Sequence, residues 1–178
     1  SRNATWLQWV LLIPTIAMLI NGIASIKKPD PVSYDYEKPF VSVFIPAHNE
    51  EATIAMTVRS VCESDYHVDG EPYFEVIVIN DGSTDNTLSL IESVARKDKR
   101  FSVLHQKNAG AGAARNYGFS TARGKYCIFL DSDDLFASKL LEKLYETAEK
   151  EQADITACNF SRFDESGNVT YHTGIHTE

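Results

Sequence analysis

Basic residues are scarce in this 178-residue chain: 17 Lys and Arg stand against 25 Asp and Glu, so the formal net charge is -8 and the pI is near 5.1. A protein that binds nucleic acid through its phosphates needs clustered Lys and Arg, and no such cluster is visible here. The sequence also lacks a Gly-Lys-Ser or Gly-Lys-Thr phosphate loop. Composition therefore argues against nucleic acid as a partner and against a nucleoside triphosphatase.

Cysteine is equally rare, because the chain contains only Cys62, Cys127 and Cys158. The number is odd and the spacing is not that of a metal site. Each cysteine lies among apolar or helical neighbours, so we expect free, buried thiols in a reducing compartment. Internal repeats and low-complexity tracts are also missing, and the length suits one domain with its own core.

The chain has one long apolar run, from Trp6 to Ile26. As a helix this run would span about 31 Å, close to the thickness of the hydrocarbon layer of a membrane. We therefore predict a membrane anchor over residues 1–28, with the remainder on the cytoplasmic side because Lys27 and Lys28 follow the run. A cleaved signal peptide and an amphipathic surface helix are the alternatives; the first lacks a strong cleavage site and the second lacks a polar face.

A polar, proline-containing linker is predicted over residues 29–39, and a folded domain over residues 40–178. Within the domain, apolar strands alternate with amphipathic helices, which predicts an α/β fold with a mostly parallel sheet covered by helices on both faces. The predicted strands are 41–45, 74–79, 101–104, 126–130, 154–163 and 169–172, with a turn at 165–168. The predicted helices are 51–62, 85–97, 111–122 and 138–149.

Polar segments follow the first four predicted strands, at 46–51, 80–85, 106–110 and 131–134. In parallel sheets, ligands bind at the carboxyl ends of the strands, where such loops meet. The four segments therefore predict one cleft on one rim of the sheet.

The last of these segments carries three carboxylates in four positions, Asp131, Asp133 and Asp134 around Ser132. Carboxylates this close repel one another unless a hard divalent cation neutralises them. The alternative is a solvated acidic turn that opens the next helix, since Asp is common in turns and caps.

Four motifs occur in order along the chain: Val41–Glu50, Val78–Asp85, Asn108–Gly118 and Leu130–Asp134. Together they resemble a family 2 glycosyltransferase of the GT-A fold, and the resemblance runs from about Phe40 to Phe163. It implies a metal-dependent enzyme that transfers a sugar from a UDP-sugar, with inversion, to a glycan, lipid or polysaccharide acceptor at the cytosolic membrane face. Hexosyl transfer in polysaccharide or cell-envelope biosynthesis is the expected setting.

The resemblance also implies roles for individual residues. Asp133 is the expected ligand of Mn²⁺ or Mg²⁺ in an Asp-x-Asp motif, with Asp134 as a second metal residue. Asp131 is expected to bind the ribose or to orient the loop, and Ser132 to contact the substrate. Arg115 is expected to contact the diphosphate or to brace the acidic loop.

On the nucleotide side, the resemblance implies that Asp81 accepts a hydrogen bond from the uracil ring, beside a tight turn at Gly82. The loop expected against the nucleotide contributes Pro46, Ala47, Asn49 and Glu50, with His48 as a wall of the pocket. A simpler interpretation of the second motif is a turn followed by a helix cap at Thr84 or Asp85.

Two other interpretations remain. The segment Gly110-Ala111-Gly112 begins like a dinucleotide fingerprint, but Arg115 stands where a third glycine would allow close packing, which argues against an oxidoreductase. No general base and no Gln-x-x-Arg-Trp motif is found after the acidic run. We therefore expect a donor-binding half, or else a non-catalytic or truncated module that binds a sugar nucleotide.

Overall fold

The computed structural model describes residues 38–164 and 169–172 of the chain, the last four as backbone only. The predicted anchor at 1–28, most of the predicted linker at 29–39 and the predicted turn at 165–168 lie outside the described residues. Within the described part, no helix is both long and apolar enough to cross a membrane.

Strands and helices alternate along the described chain. In chain order the elements are β1 (Val41–Ala47), α1 (Ile54–Cys62), β2 (His67–Val68), β3 (Glu71–Pro72), β4 (Phe74–Asp81), α2 (Thr87–Ala95), β5 (Phe101–Gln106), α3 (Ala111–Phe119), β6 (Tyr126–Phe129), α4 (Leu140–Glu151), β7 (Ser161–Phe163) and β8 (Val169–His172).

The main sheet has four parallel strands in the order β5-β4-β1-β6. The chain moves outward from β1 to β4 and β5, then returns to the other side of β1 to form β6. Strand order therefore reverses beside β1, and ligands of α/β sheets bind at the carboxyl ends of strands at such a switch point. Two short antiparallel pairs, β2 with β3 and β7 with β8, complete the described strands.

The two faces of the sheet are covered unequally. On one face, the buried side chains of α1, α2 and α4 pack on alternate residues of β1 and β4. Residues Ile54, Val58 and Val61 form the inner stripe of α1, because they recur at helical spacing and are almost completely buried. On the other face, α3 packs on Phe44, Ile77 and Ile79. The prediction of an α/β fold with helices on both faces is confirmed.

The strands β1, β4 and β5 extend further toward the cleft than predicted, whereas β6 ends at Phe129, one residue earlier than predicted. β1 continues to Ala47 because Ala47 pairs with Asn80, and β4 continues to Asp81 because Asp81 pairs with Gln106. Pro46 and Asp81 therefore belong to rigid strand ends rather than to loops. In contrast, α1 begins at Ile54, three residues later than predicted.

The strand predicted over 154–163 is wrong for residues 154–160, which have no regular secondary structure. Apolar residues suggested a strand, but Ile155 is 87% exposed and no described strand pairs with this segment. The expected burial of Cys158 is wrong for the same reason, since this thiol is exposed, while Cys62 and Cys127 are half-buried. All three cysteines are free, as predicted.

Candidate functional site

A cleft of about 250 Å³ lies at the carboxyl ends of β1 and β4, beside the start of α3 and the acidic run after β6. Its lining residues come from four separated parts of the sequence. Three of these are predicted strand-end segments, and the fourth is α3 rather than the predicted segment 106–110. The lining residues are Pro46, Ala47, His48, Glu50, Asp81, Ala111, Arg115, Asp131, Ser132 and Asp133.

Three residues predicted for the site, Asn49, Gly82 and Asp134, do not line the cleft. The side chain of Asn49 instead accepts a hydrogen bond from the backbone N–H of Thr84, at 2.8 Å. Gly82 faces the loop that follows β5. Asp134 lies in the turn closed by its own backbone N–H and the carbonyl oxygen of Asp131, at 3.1 Å.

Asp81 is 3% exposed and its carboxylate binds the loop after β5. The Oδ1 atom accepts hydrogen bonds from Gln106 Nε2 at 2.7 Å and from the backbone N–H of Ala109 at 2.8 Å. The Oδ2 atom accepts one from the backbone N–H of Gly110 at 2.8 Å. A carboxylate offers about four acceptor positions, so one position remains for a ligand.

These contacts also determine the charge of Asp81. Burial by itself raises the pKa of this carboxyl, but the hydrogen bonds from Gln106, Ala109 and Gly110 outweigh burial and lower the pKa overall. Asp81 is therefore an ionised acceptor at neutral pH. Gln106 was missed in the sequence, although it lies at the end of a strand whose neighbour ends in Asp81.

The predicted tight turn at Gly82 is present, and it requires glycine. The φ angle of Gly82 is +69°, and a Cβ atom there would lie 2.6 Å from the backbone nitrogen of Asn108. A side chain at this position would thus be strained and would collide with backbone. Gly82 allows the loop after β5 to approach the end of β4.

Helix α1 anchors the acidic run. Ser132 is buried, and its carbonyl oxygen accepts a hydrogen bond from Thr57 Oγ1 at 2.8 Å. The backbone N–H of Phe136 donates to Ser60 Oγ at 2.9 Å. Thr57 was missed in the sequence. It could have been found as a polar residue within the apolar, buried stripe of a helix, because such a residue needs a hydrogen-bond partner.

Arg115 pairs with the acidic run, since its Nη2 atom lies 2.5 Å from Asp131 Oδ1. This is the bracing role, one of the two roles expected for Arg115. The pair leaves Asp133 and Asp134 exposed, and in the described part of the chain neither carboxylate accepts a hydrogen bond. Negative charge therefore exceeds positive charge at this end of the cleft.

The acidic run suits a hard cation by donor type, although it does not form a complete protein site. Partial burial and the nearby Asp133 and Asp131 carboxylates raise the pKa of Asp134, which is the signature of uncompensated negative charge. Among the described residues, no group of three or more His, Cys, Asp or Glu could hold a metal ion. Asp133 and Asp134 offer oxygen ligands that fit Mg²⁺ or Mn²⁺ when other ligands come from a bound diphosphate or water.

Other carboxylates near the cleft have structural partners. Glu50 Oε2 accepts a hydrogen bond from Thr53 Oγ1 at 2.7 Å. Asp85 accepts hydrogen bonds from the backbone N–H groups of Thr87 at 3.0 Å and Glu51 at 3.2 Å. Asp85 therefore holds the turn that leads into α2. The cap predicted at Thr84 or Asp85 lies at Asn86 instead, which makes no side-chain cap hydrogen bond.

Helix α3 does not pack like a dinucleotide-binding helix. Its contact with the sheet is made by Ala114, which is fully buried, and by Gly118, where a Cβ would lie 2.8 Å from Ile79 Cδ1. Arg115 extends instead to Asp131. The position that would need a third glycine is thus occupied by a residue of the cleft, and the oxidoreductase interpretation loses its structural basis.

Comparison with known proteins identifies the family. Residues 42–177 match Glycosyl transferase family 2. The chain belongs to this family. It is 37% identical over 122 residues to the uncharacterized glycosyltransferase EpsJ of Bacillus subtilis, covering 68% of this chain and 34% of EpsJ. The chain thus spans about a third of the length of that relative.

Two solved structures resemble the fold. One is S. aureus TarS 1-349 in complex with UDP-GlcNAc, with 31% identity and a TM-score of 0.57, covering 65% of this chain and 32% of that one. The other is the mannosyltransferase PcManGT from Pyrobaculum calidifontis in complex with GDP-Man and Mn²⁺, with 26% identity and a TM-score of 0.57, covering 82% of this chain and 42% of that one. The GT-A fold expected from the sequence is confirmed.

Proposed function

We propose that this chain forms the donor-binding part of an enzyme that transfers a sugar from a UDP-sugar, with inversion, to a glycan, lipid or polysaccharide acceptor at the cytosolic face of a membrane. The observation that carries the proposal is the cleft itself. At the switch point of a family 2 chain, it brings one buried carboxylate, Asp81, together with Arg115 and the acidic run.

The two ends of the cleft suit the two ends of a nucleoside diphosphate. Asp81 keeps one acceptor position, which fits the N3–H donor of a uracil ring. Arg115, in the second turn of α3, supplies a positive charge paired with the acidic run. The TarS complex with UDP-GlcNAc supports a uridine donor, and the PcManGT complex shows that GDP-Man is bound by a more distant relative.

Asp133 and Asp134 are the residues that would hold Mn²⁺ or Mg²⁺, and the Mn²⁺ of the PcManGT complex supports this assignment. When bound, the cation neutralises the diphosphate and stabilises it as a leaving group. The chain's own contribution is positional: Thr57 fixes the acidic run through Ser132, and Arg115 fixes its first carboxylate. We assign no general base among the described residues, and acceptor activation needs one.

Calorimetric titration with UDP, with and without Mn²⁺, tests the proposal. We expect Mn²⁺ to tighten UDP binding at least tenfold in the unchanged chain, and Asp133→Asn to abolish the gain. Glu146→Gln is the matched control, since Glu146 is an exposed α4 carboxylate that pairs with Lys143 on the same helix. A UDP affinity that is unchanged by Mn²⁺ and by Asp133→Asn would refute the metal assignment. Tighter binding of GDP than of UDP would refute the uridine assignment.

A donor-hydrolysis assay on the same protein separates an enzyme from a binding module. Release of UDP from UDP-GlcNAc in the presence of Mn²⁺, lost in Asp133→Asn, supports chemistry within this chain. Binding of UDP without any release supports the module that binds a sugar nucleotide and leaves the transfer step to other segments. Binding of NADH in place of UDP would revive the oxidoreductase interpretation.

A further inference from the structure

His48 lies where three loops of the cleft meet. Its Nδ1 atom is 2.7 Å from the carbonyl oxygen of Asp81. A carbonyl oxygen only accepts hydrogen bonds, so Nδ1 must carry a proton. This contact joins the end of β1 directly to the end of β4.

The other ring nitrogen faces an amide that donates. Asn49 Nδ2 lies 3.3 Å from His48 Nε2. The orientation of Asn49 is fixed independently, because its Oδ1 atom accepts the backbone N–H of Thr84 at 2.8 Å. A backbone N–H only donates, so Asn49 must direct its NH₂ group toward the ring. His48 Nε2 therefore faces a donor, an arrangement that the Nδ1–H tautomer satisfies.

Asn108 lies against the same ring. Its Nδ2 atom is 3.1 Å from His48 Nε2 and 3.4 Å from Nδ1, and these similar distances place the amide over the ring rather than at one lone pair. The side-chain amides of Asn49 and Asn108 thus both lie within hydrogen-bond distance of His48 Nε2.

We infer that His48, as the Nδ1–H tautomer, is a positioning residue that holds the loop after β1 against the end of β4, and that nucleotide affinity depends on this donor. Asn49 cannot reverse its amide without depriving Thr84 of its acceptor, so the NH₂ group of Asn49 stays beside Nε2. The effect on affinity rests on the proposed function, whereas the tautomer does not.

The contact with Asp81 explains why the cleft would respond. His48 holds the backbone carbonyl of Asp81, while the side chain of Asp81 holds Ala109 and Gly110. Loosening His48 therefore disturbs both walls of the nucleotide end. The charged groups that share the cleft with the ring come from every neighbouring segment: Glu50, Asp81, Arg115, Asp131 and Asp133. Their carboxylates attract a charged ring, and Arg115 repels it.

The tautomer is tested without any ligand, by long-range ¹H–¹⁵N correlation spectra of the imidazoles at pH 7.5. We expect His48 to show the Nδ1–H tautomer. An Nε2–H tautomer would overturn the inference. These spectra test the tautomer even if the chain binds no nucleotide. A chain that shows the expected tautomer but binds no nucleotide would contradict only the proposed function.

The positioning role is tested by UDP titrations with Mn²⁺ at pH 7.5. His48→Ala removes the donor to the carbonyl oxygen of Asp81, whereas His48→Asn keeps a donor at the Nδ1 position. We expect His48→Ala to bind UDP about tenfold more weakly than the unchanged chain, and His48→Asn to restore most of the affinity. His67→Ala, which changes a histidine of β2 outside the cleft, should bind UDP normally. Equal affinities of His48→Ala and the unchanged chain, or equal losses in His48→Ala and His48→Asn, would overturn the role.

Discussion

Thr57 Oγ1 donates a hydrogen bond to the carbonyl oxygen of Ser132 at 2.8 Å, and both residues are buried. The acidic run is therefore fixed by a helix that begins 77 positions before it in the chain, at Ile54. Because the bond involves backbone, Thr57 positions the main chain of the acidic run, while Arg115 holds the Asp131 side chain.

Thr57→Val should destabilise the chain by about 1–2 kcal/mol, because the buried carbonyl of Ser132 loses its donor. Urea unfolding followed by circular dichroism measures this loss. Thr57→Ser keeps the hydroxyl and should retain most of the stability. If valine and serine behave alike, the hydroxyl does not anchor the acidic run.

Gly82→Ala should cost about 1–3 kcal/mol, because alanine at a φ of +69° is strained and its Cβ would lie 2.6 Å from the Asn108 nitrogen. Gly112→Ala is the matched control, since no heavy atom lies within 4 Å of the added Cβ and alanine favours the helix. Urea unfolding of both variants checks the prediction. Equal stability of the two alanine variants would contradict the close approach at Gly82.

Glu75 makes the free energy of unfolding depend on pH. Its nearly buried carboxylate accepts hydrogen bonds from Ser42 Oγ at 2.7 Å and from Arg123 Nε at 2.7 Å. Burial alone raises the pKa of Glu75, but these bonds outweigh it and lower the pKa below its ordinary value. A lowered folded-state pKa means that the stabilisation is present above the unfolded-state pKa and is lost as pH falls through the folded-state pKa.

Glu75→Gln should therefore reduce the free energy of unfolding at pH 7 by about 1–3 kcal/mol and have less effect at pH 3. Urea unfolding across this pH range measures the difference between the two proteins. Glu146→Gln, on the exposed face of α4, should change little at either pH. A difference between the unchanged chain and Glu75→Gln that stays constant with pH would show that Glu75 titrates alike in both states.

Arg115→Gln should weaken Mn²⁺-dependent UDP binding by about tenfold to a hundredfold, because it removes the cation that pairs with Asp131 and adjoins the proposed diphosphate position. Calorimetry measures the change, and thermal unfolding should show an intact fold. Arg96→Gln alters an exposed arginine whose Nη1 lies 3.7 Å from Glu92, and it should bind UDP normally. Unaltered binding by Arg115→Gln would exclude this arginine from the donor site.

The sequence was sufficient for the sheet and the rim of the cleft because both depend on local patterns. Apolar runs of strand length alternated with helical stripes such as Ile54, Val58 and Val61, and the polar residues came directly after the strands. The extra length of β4 was not visible, since Asn80 and Asp81 look like loop residues. Pairing with β1 and β5 keeps them in the strand.

Contacts between segments that are distant in the chain could not be predicted from the sequence. Thr57 and Gln106 are single polar residues whose partners lie 75 and 25 positions away. The strand predicted around Ile155 is wrong for a related reason. An apolar pattern can suggest a strand, but it does not show whether another strand lies beside it for pairing. Arg115 was placed beside the acidic run by the family resemblance, and only the structure shows its ion pair with Asp131.

A crystal structure of this chain grown with UDP and Mn²⁺ tests most directly whether the cleft binds a nucleotide together with a metal ion. We expect anomalous scattering from manganese beside the carboxylate of Asp133, with the diphosphate bound to the manganese and the uracil ring within hydrogen-bond distance of Asp81. Manganese at another place on the surface, or UDP bound away from the cleft between Asp81 and Asp133, would contradict this expectation.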